Sequence, residues 1–131
     1  GDARLTREAM GSCEILAKLH VVEDGEKAIS FLRREAEYAE AKRPDLILLD
    51  LNLPRMDGRD VLTRVKSSKT LCHIPIVILT TSQSPADISH AYDLHANCFV
   101  TKPIDLDGFT DTVQSIVRFW LHTVELPPED R

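Results

Sequence analysis

The stretch that decides the fold is "LILLDLNLPRMDG", residues 46–58. Four apolar residues, Leu46 to Leu49, run without interruption and end on Asp50. A short apolar run bounded by turn signals fits a strand buried on both faces, as in a parallel sheet. The turn follows at Pro54 and Asp57-Gly58. A carboxylate at the end of a buried strand needs partners, and the rest of the chain offers them.

Outward from this strand, helix and strand signals alternate. Residues 2–10 read as a helix, and "LAKLHVV", 16–22, as a strand. Residues 24–41 carry Ala28, Ile29, Leu32 and Ala36 as one apolar stripe of a helix. Residues 57–66 form the next helix, with Asp57 as cap and Asp60 three residues on, as in a capping box. "IPIVILTT", 74–81, is a second buried strand. Residues 84–96 open a helix with Ser84 at the N-cap and Pro85 at its first position. "NCFVT", 97–101, is a short strand, and 105–124 a long amphipathic helix with Leu106, Phe109, Val113, Ile116, Val117 and Trp120 on one side. The prolines of "ELPPEDR", 125–131, stop it. Such alternation implies an α/β domain with a parallel sheet covered on both faces.

The 131 residues suit one domain, 1–124, followed by a polar tail, 125–131. A net charge of −5 without a basic cluster speaks against nucleic-acid binding. Cys13, Cys72 and Cys98 form no CxxC pair, which fits a reduced, cytoplasmic setting. No apolar run approaches the ~20 residues of a membrane helix, so no membrane partner is expected. His90 and His95 are five apart and do not share a helical face, and the five histidines show no metal spacing.

In open parallel sheets, ligands bind at the carboxyl ends of the strands. That rule gathers Asp50, Thr80 and Thr101-Lys102-Pro103 at one rim. A carboxylate beside a hydroxyl and an ammonium makes chemical sense if a dianionic group is to sit on the carboxylate. Aspartate can attack phosphorus and become an aspartyl phosphate. The phosphoryl group brings about −1.5 to −2 charge and three acceptor oxygens. Lysine can neutralise one oxygen and threonine donate to another.

"LILLDLNLPRMDG", "IPIVILTTS" and "FVTKP" occur here in the order and spacing of response-regulator receiver domains of two-component signalling, and the chain resembles that family over nearly its whole length. "FLRREAEYAEAKRPDLILLDLNLPRMDGRDVL", "AYDLHANCFVTKP" and "FWLHTVELP" resemble more narrowly the small stand-alone regulators of bacterial phytochromes. The resemblance implies a flavodoxin-like, doubly wound sheet of five parallel strands. It implies phosphorylation of Asp50 by a sensor histidine kinase, here a phytochrome. It makes Thr80 the switch hydroxyl, Lys102 the phosphate-pairing lysine and Phe99 the aromatic that turns inward. Mg²⁺ would be held by Asp50 and the Asn52 backbone carbonyl. Thr81 and Ser82 would line the mouth and govern water access. The Lys102-Pro103 bond would be cis, and the protein not an enzyme.

Each residue also has a plainer reading. Asp50 alone could bond turn amides, Thr80 could be an ordinary strand residue, Lys102 a solvated lysine and Phe99 static core. Asp57-Gly58 reads as a turn and helix start without chemistry. Adjacent helical aromatics point about 100° apart, so Phe119 and Trp120 cannot both face one core. With Leu121 they mark an expected homodimer interface. An alternative function is a phosphatase with Asp50 as transient nucleophile. The dehalogenase-like enzymes of that kind place a second Asp two residues on, where this chain has Asn52.

Glu23-Asp24 looks like the acidic metal pair that follows a receiver's first strand, but the helix at 2–10 precedes it. That makes 16–22 the second strand. The expectation is therefore that the first strand and its acidic pair are absent from these residues. They would lie upstream of Gly1 or be supplied by another polypeptide, and a slot would separate strands 16–22 and 46–49.

Overall fold

The computed structural model describes residues 19–21, 26, 29, 33, 44–51 and 57–127. Among them, four strands form one parallel sheet: β1 (Leu19–Val21), β2 (Leu46–Leu49), β3 (Ile76–Thr80) and β4 (Cys98–Thr101). Three helices follow from the sequence pattern: α1 (Gly58–Ser67), α2 (Pro85–Asp93) and α3 (Leu106–Arg118). A π-helical turn, Phe119–Thr123, extends α3. The expected helices at 2–10 and 24–41 and the pair Glu23-Asp24 lie outside the described residues, apart from Glu26, Ile29 and Arg33.

The alternation of side chains in β2 and β3 sorts the core into two layers. Ile47, Leu49, Ile76 and Ile78 pack with Val61, Leu62 and Val65 of α1 and Ala91 of α2. Leu46, Leu48, Val77 and Leu79 pack with Phe109, Val113, Ile116 and Val117 of α3. Both strands are buried throughout, which explains why they read as unbroken apolar runs. Helices on both faces make this the doubly wound, receiver-type α/β fold expected from the sequence.

The slot is not there. β1 pairs directly with β2, Leu19 with Leu46, His20 with Ile47 and Val21 with Leu48. Among the described residues the strand order is β1-β2-β3-β4, so the expected slot between strands 16–22 and 46–49 is overturned. The physical reason is backbone satisfaction. β2 is buried, and its N–H and C=O groups need partners on both edges. β3 occupies one edge and β1 takes the other.

The three described helix starts are capped, at Ser84 and Asp57 as expected and at Asp105 in addition. Ser84 accepts from the Asp87 amide at 3.4 Å and Asp105 from the Gly108 amide at 2.8 Å. Asp57 caps α1 by accepting from the Arg59 amide at 2.7 Å, whereas the Asp60 amide donates to the Asp57 carbonyl. The capping box with Asp60 therefore does not form. At the amino rim of the sheet, Lys66 Nζ donates to the carbonyls of Cys72 and Ile74 and to Asn97 Oδ1 at 2.9 Å. Burial lowers its pKa, and its bonds join α1 to the loops that open β3 and β4.

The last segment divides its aromatics. Trp120 and Leu121 are half-buried against the α3 layer, while Phe119 is 53% exposed. Their rings meet edge-on, with centroids 5.6 Å apart. No helix among the described residues is long and apolar enough to cross a membrane.

Candidate functional site

Parallel pairing brings three strand ends together. Leu49 pairs with Ile78, so Asp50 and Thr80 lie one and two residues beyond that pair. Thr80 pairs with Thr101, and Lys102 follows one residue later. Lys102 Nζ donates to Asp50 Oδ2 at 2.7 Å, across 52 residues of sequence. Its side chain is 8% exposed and that of Asp50 24%, so the carboxylate faces solvent and the ammonium lies behind it. The Lys102 amide donates to the Thr80 carbonyl at 2.7 Å and fixes the turn to β3.

Thr80 is fully buried, and among the described residues its hydroxyl has no hydrogen-bond partner. An unsatisfied buried hydroxyl costs about 1–3 kcal/mol. Native structures seldom keep such a group without a use for it.

The Lys102-Pro103 bond is trans, since no cis bond occurs among the described residues. The cis expectation is corrected. Trans is favoured by about 0.5–1 kcal/mol before proline, and the trans chain already delivers the ammonium to Asp50. Phe99 is half-buried against the layer under α1 and α2, and its amide donates to the Tyr92 hydroxyl at 3.2 Å. Asn52 lies outside the described residues. Among those described, no three His, Cys, Asp or Glu side chains cluster to hold a metal. What the rim offers a cation is the oxygen-only donor Asp50. That suits a hard ion such as Mg²⁺, which keeps several waters and binds through one or two carboxylates plus phosphate oxygens.

One residue matters more than its sequence reading suggested. Gly58 packs on the backbone of Asp50: a Cβ there would run into the Asp50 carbonyl oxygen and lie 2.7 Å from Leu51 Cα. Its amide donates to the Leu51 carbonyl at 3.0 Å. The Asp-Gly dipeptide was visible as a turn, but only the return of the chain onto Asp50 shows why glycine is needed.

A doubly wound sheet with a carboxylate, hydroxyl and lysine at one rim defines the receiver class. The chain matches the response regulator receiver domain model over residues 2–114 and belongs to that family. It is 45% identical to the response regulator Rcp1 of Synechocystis sp. over 126 residues, 96% of this chain and 86% of that protein. It also resembles the crystal structure of the phosphorylated cyanobacterial phytochrome response regulator RcpA, with TM-score 0.91, 50% identity, and coverage of 97% of this chain and 91% of that one. The Mn²⁺-bound form of Rcp1 superposes with TM-score 0.89 at 45% identity, covering 97% of this chain and 91% of that one.

Proposed function

We propose that this chain is a phospho-accepting response regulator, phosphorylated on Asp50 by a sensor histidine kinase of the phytochrome kind. The carrying observation is the 2.7 Å contact of Lys102 with Asp50 at the rim where Thr80, whose buried hydroxyl has no partner among the described residues, ends β3. The likeness to Rcp1 and RcpA supports the choice of kinase.

In the reaction, an Asp50 carboxylate oxygen attacks phosphorus. The bond from phosphorus to the donor's leaving atom breaks, and that atom keeps the electron pair. Lys102 then pairs with a phosphoryl oxygen, and Thr80 donates its hydroxyl to another. Mg²⁺, held by Asp50 with the Asn52 carbonyl and phosphate oxygens, would screen the donor's charge during attack. One lysine–phosphoryl pair at ~4 Å is worth on the order of 4 kcal/mol at an effective dielectric of ~20, before desolvation. Satisfying the hydroxyl adds about 1–3 kcal/mol. Set against the Lys102–Asp50 contact given up in the exchange, these energies are of the scale that biases a two-state loop. The scale suits a switch, with Phe99 filling the space that Thr80 leaves.

The protein works in the cytoplasm as a signalling module, not as an enzyme, and its net charge of −5 favours protein partners over nucleic acid. A homodimer forms through Phe119, Trp120 and Leu121; the exposed Phe119 ring supports this face. The test is incubation with acetyl phosphate or p-nitrophenyl phosphate in Mg²⁺. Stable, stoichiometric labelling supports the regulator; turnover of p-nitrophenyl phosphate without a stable adduct supports a phosphatase and defeats the proposal.

A further inference from the structure

Beside Asp50 runs a second chain of polar contacts that phosphoryl chemistry does not use. It begins at Arg59, next to the Gly58 that packs on the Asp50 backbone. The Arg59 guanidinium donates from Nη1 to both Asp57 oxygens at 3.3 Å and from Nη2 to Asp87 Oδ1 at 2.9 Å, 28 residues away. Asp87 uses its other oxygen to accept from Ser82 Oγ at 2.7 Å. Ser82 Oγ in turn accepts from the Ser84 amide at 3.3 Å, and Ser84 Oγ from the Asp87 amide at 3.4 Å.

We propose that the chain Arg59–Asp87–Ser82 is a latch on the loop after Thr80, with Arg59 and Asp87 as positioning residues that set how readily the Thr80 hydroxyl moves towards Asp50. Ser82 is two residues from Thr80, so a shift of Thr80 pulls on the Ser82–Asp87 bond. The other end of the latch cannot follow, because Gly58 is seated on Asp50 and bonded to Leu51. The loop is thus anchored to the backbone of the carboxylate that its hydroxyl would approach. Asp87 serves both contacts at once, with one oxygen for each. The Ser82 hydroxyl and then Arg59 hold its pKa below the usual carboxylate range. At Arg59 burial opposes the charge, and the bonds to Asp87 and Asp57 outweigh it. The side chains are 27% and 33% exposed, so the latch is a weak one, suited to yielding when a stronger acceptor appears. For the consequence on phosphorylation the inference rests on Asp50 being the phosphoacceptor; the latch itself does not.

The test is site-resolved amide exchange on the full, unphosphorylated chain. In Arg59→Gln, the Ser84 and Asp87 amides should exchange about two- to fivefold faster than in the parent, the range expected for a partly exposed ion pair. The double variant Arg59→Asp/Asp87→Arg keeps opposite charges across α1 and α2, but an arginine at 87 cannot accept from Ser82. It should leave Ser84 fast, whereas a contact that merely joins the helices would be rebuilt by the swap. Unchanged exchange at Ser84 and Asp87 in Arg59→Gln overturns the latch, as does recovery of Ser84 protection in the double variant. In parallel, acetyl phosphate should label Arg59→Gln faster than the parent by a similar factor. A parent that takes no label defeats the Asp50 reading, and the exchange data still decide the latch.

Discussion

The Thr80 hydroxyl offers a test in which gaining stability and losing function coincide. Its side chain is fully buried on β3 and its oxygen lacks a partner among the described residues. Thr80→Val keeps the branched shape, replaces the hydroxyl by a methyl and leaves the Lys102–Thr80 backbone bond in place. Removing an unsatisfied buried hydroxyl should return about 1–3 kcal/mol of stability. For a domain of this size, each kcal/mol moves the melting temperature by about 3–5 °C. The variant is therefore expected to melt at least ~3 °C above the parent, with a higher urea midpoint and an unchanged slope. It should still be labelled on Asp50 yet fail to show the conformational change expected of the labelled parent. The assays are paired urea titrations and amide exchange with and without acetyl phosphate. Destabilisation by 1 kcal/mol or more would refute the reasoning, because it would mean that the hydroxyl is hydrogen-bonded in the folded protein.

Three further outcomes follow. Lys102→Met should lower stability by about 1–2 kcal/mol in urea titrations, between the values for exposed and buried ion pairs, because Lys102 is buried and Asp50 part-exposed; a loss above ~3 kcal/mol contradicts this geometry. Gly58→Ala gains at most ~1 kcal/mol of helix propensity but forces a methyl into the Asp50 carbonyl. A net loss of about 1–3 kcal/mol, with slower labelling, is expected, and a stabilised variant would refute the packing. The Asp87 carboxyl is held below its usual range by Ser82 and Arg59. A depressed folded pKa contributes stability that is present above the unfolded carboxylate pKa and lost as pH falls through the folded one. The stability gap between the parent and Asp87→Asn should accordingly be constant near neutrality and shrink in acid; a gap that widens in acid reverses the sign and the assignment.

The strands and the rim were legible because both are local signals. An apolar run ending on Asp50, a second ending at Thr80 and the turn after Thr101 each show within a few residues. Capping was legible at Ser84, where the side chain reaches a neighbouring amide. At Asp57 the capping residue was legible but its partner was not, since the amide of Arg59 rather than that of Asp60 donates to the Asp57 side chain. What could not be read is what depends on pairing across the sequence. The contact of β1 with β2 depends on which strand satisfies an edge, and periodicity carries no such information. The need for glycine at 58 appears only when α1 folds back on Asp50. The Arg59–Asp87 bond joins the starts of two helices, and each residue alone looks like an ordinary surface charge. The trans bond before Pro103 corrects an expectation taken from resemblance rather than from local chemistry.

The central claim is that Asp50 accepts the phosphoryl group. Intact-mass and peptide analysis of the parent and Asp50→Asn after incubation with acetyl phosphate and Mg²⁺ tests it most directly. The expected result is a single phosphoryl adduct on the parent, mapped to Asp50, with none on the variant. An adduct of equal yield on Asp50→Asn, or one mapped to another residue of the parent, would contradict it.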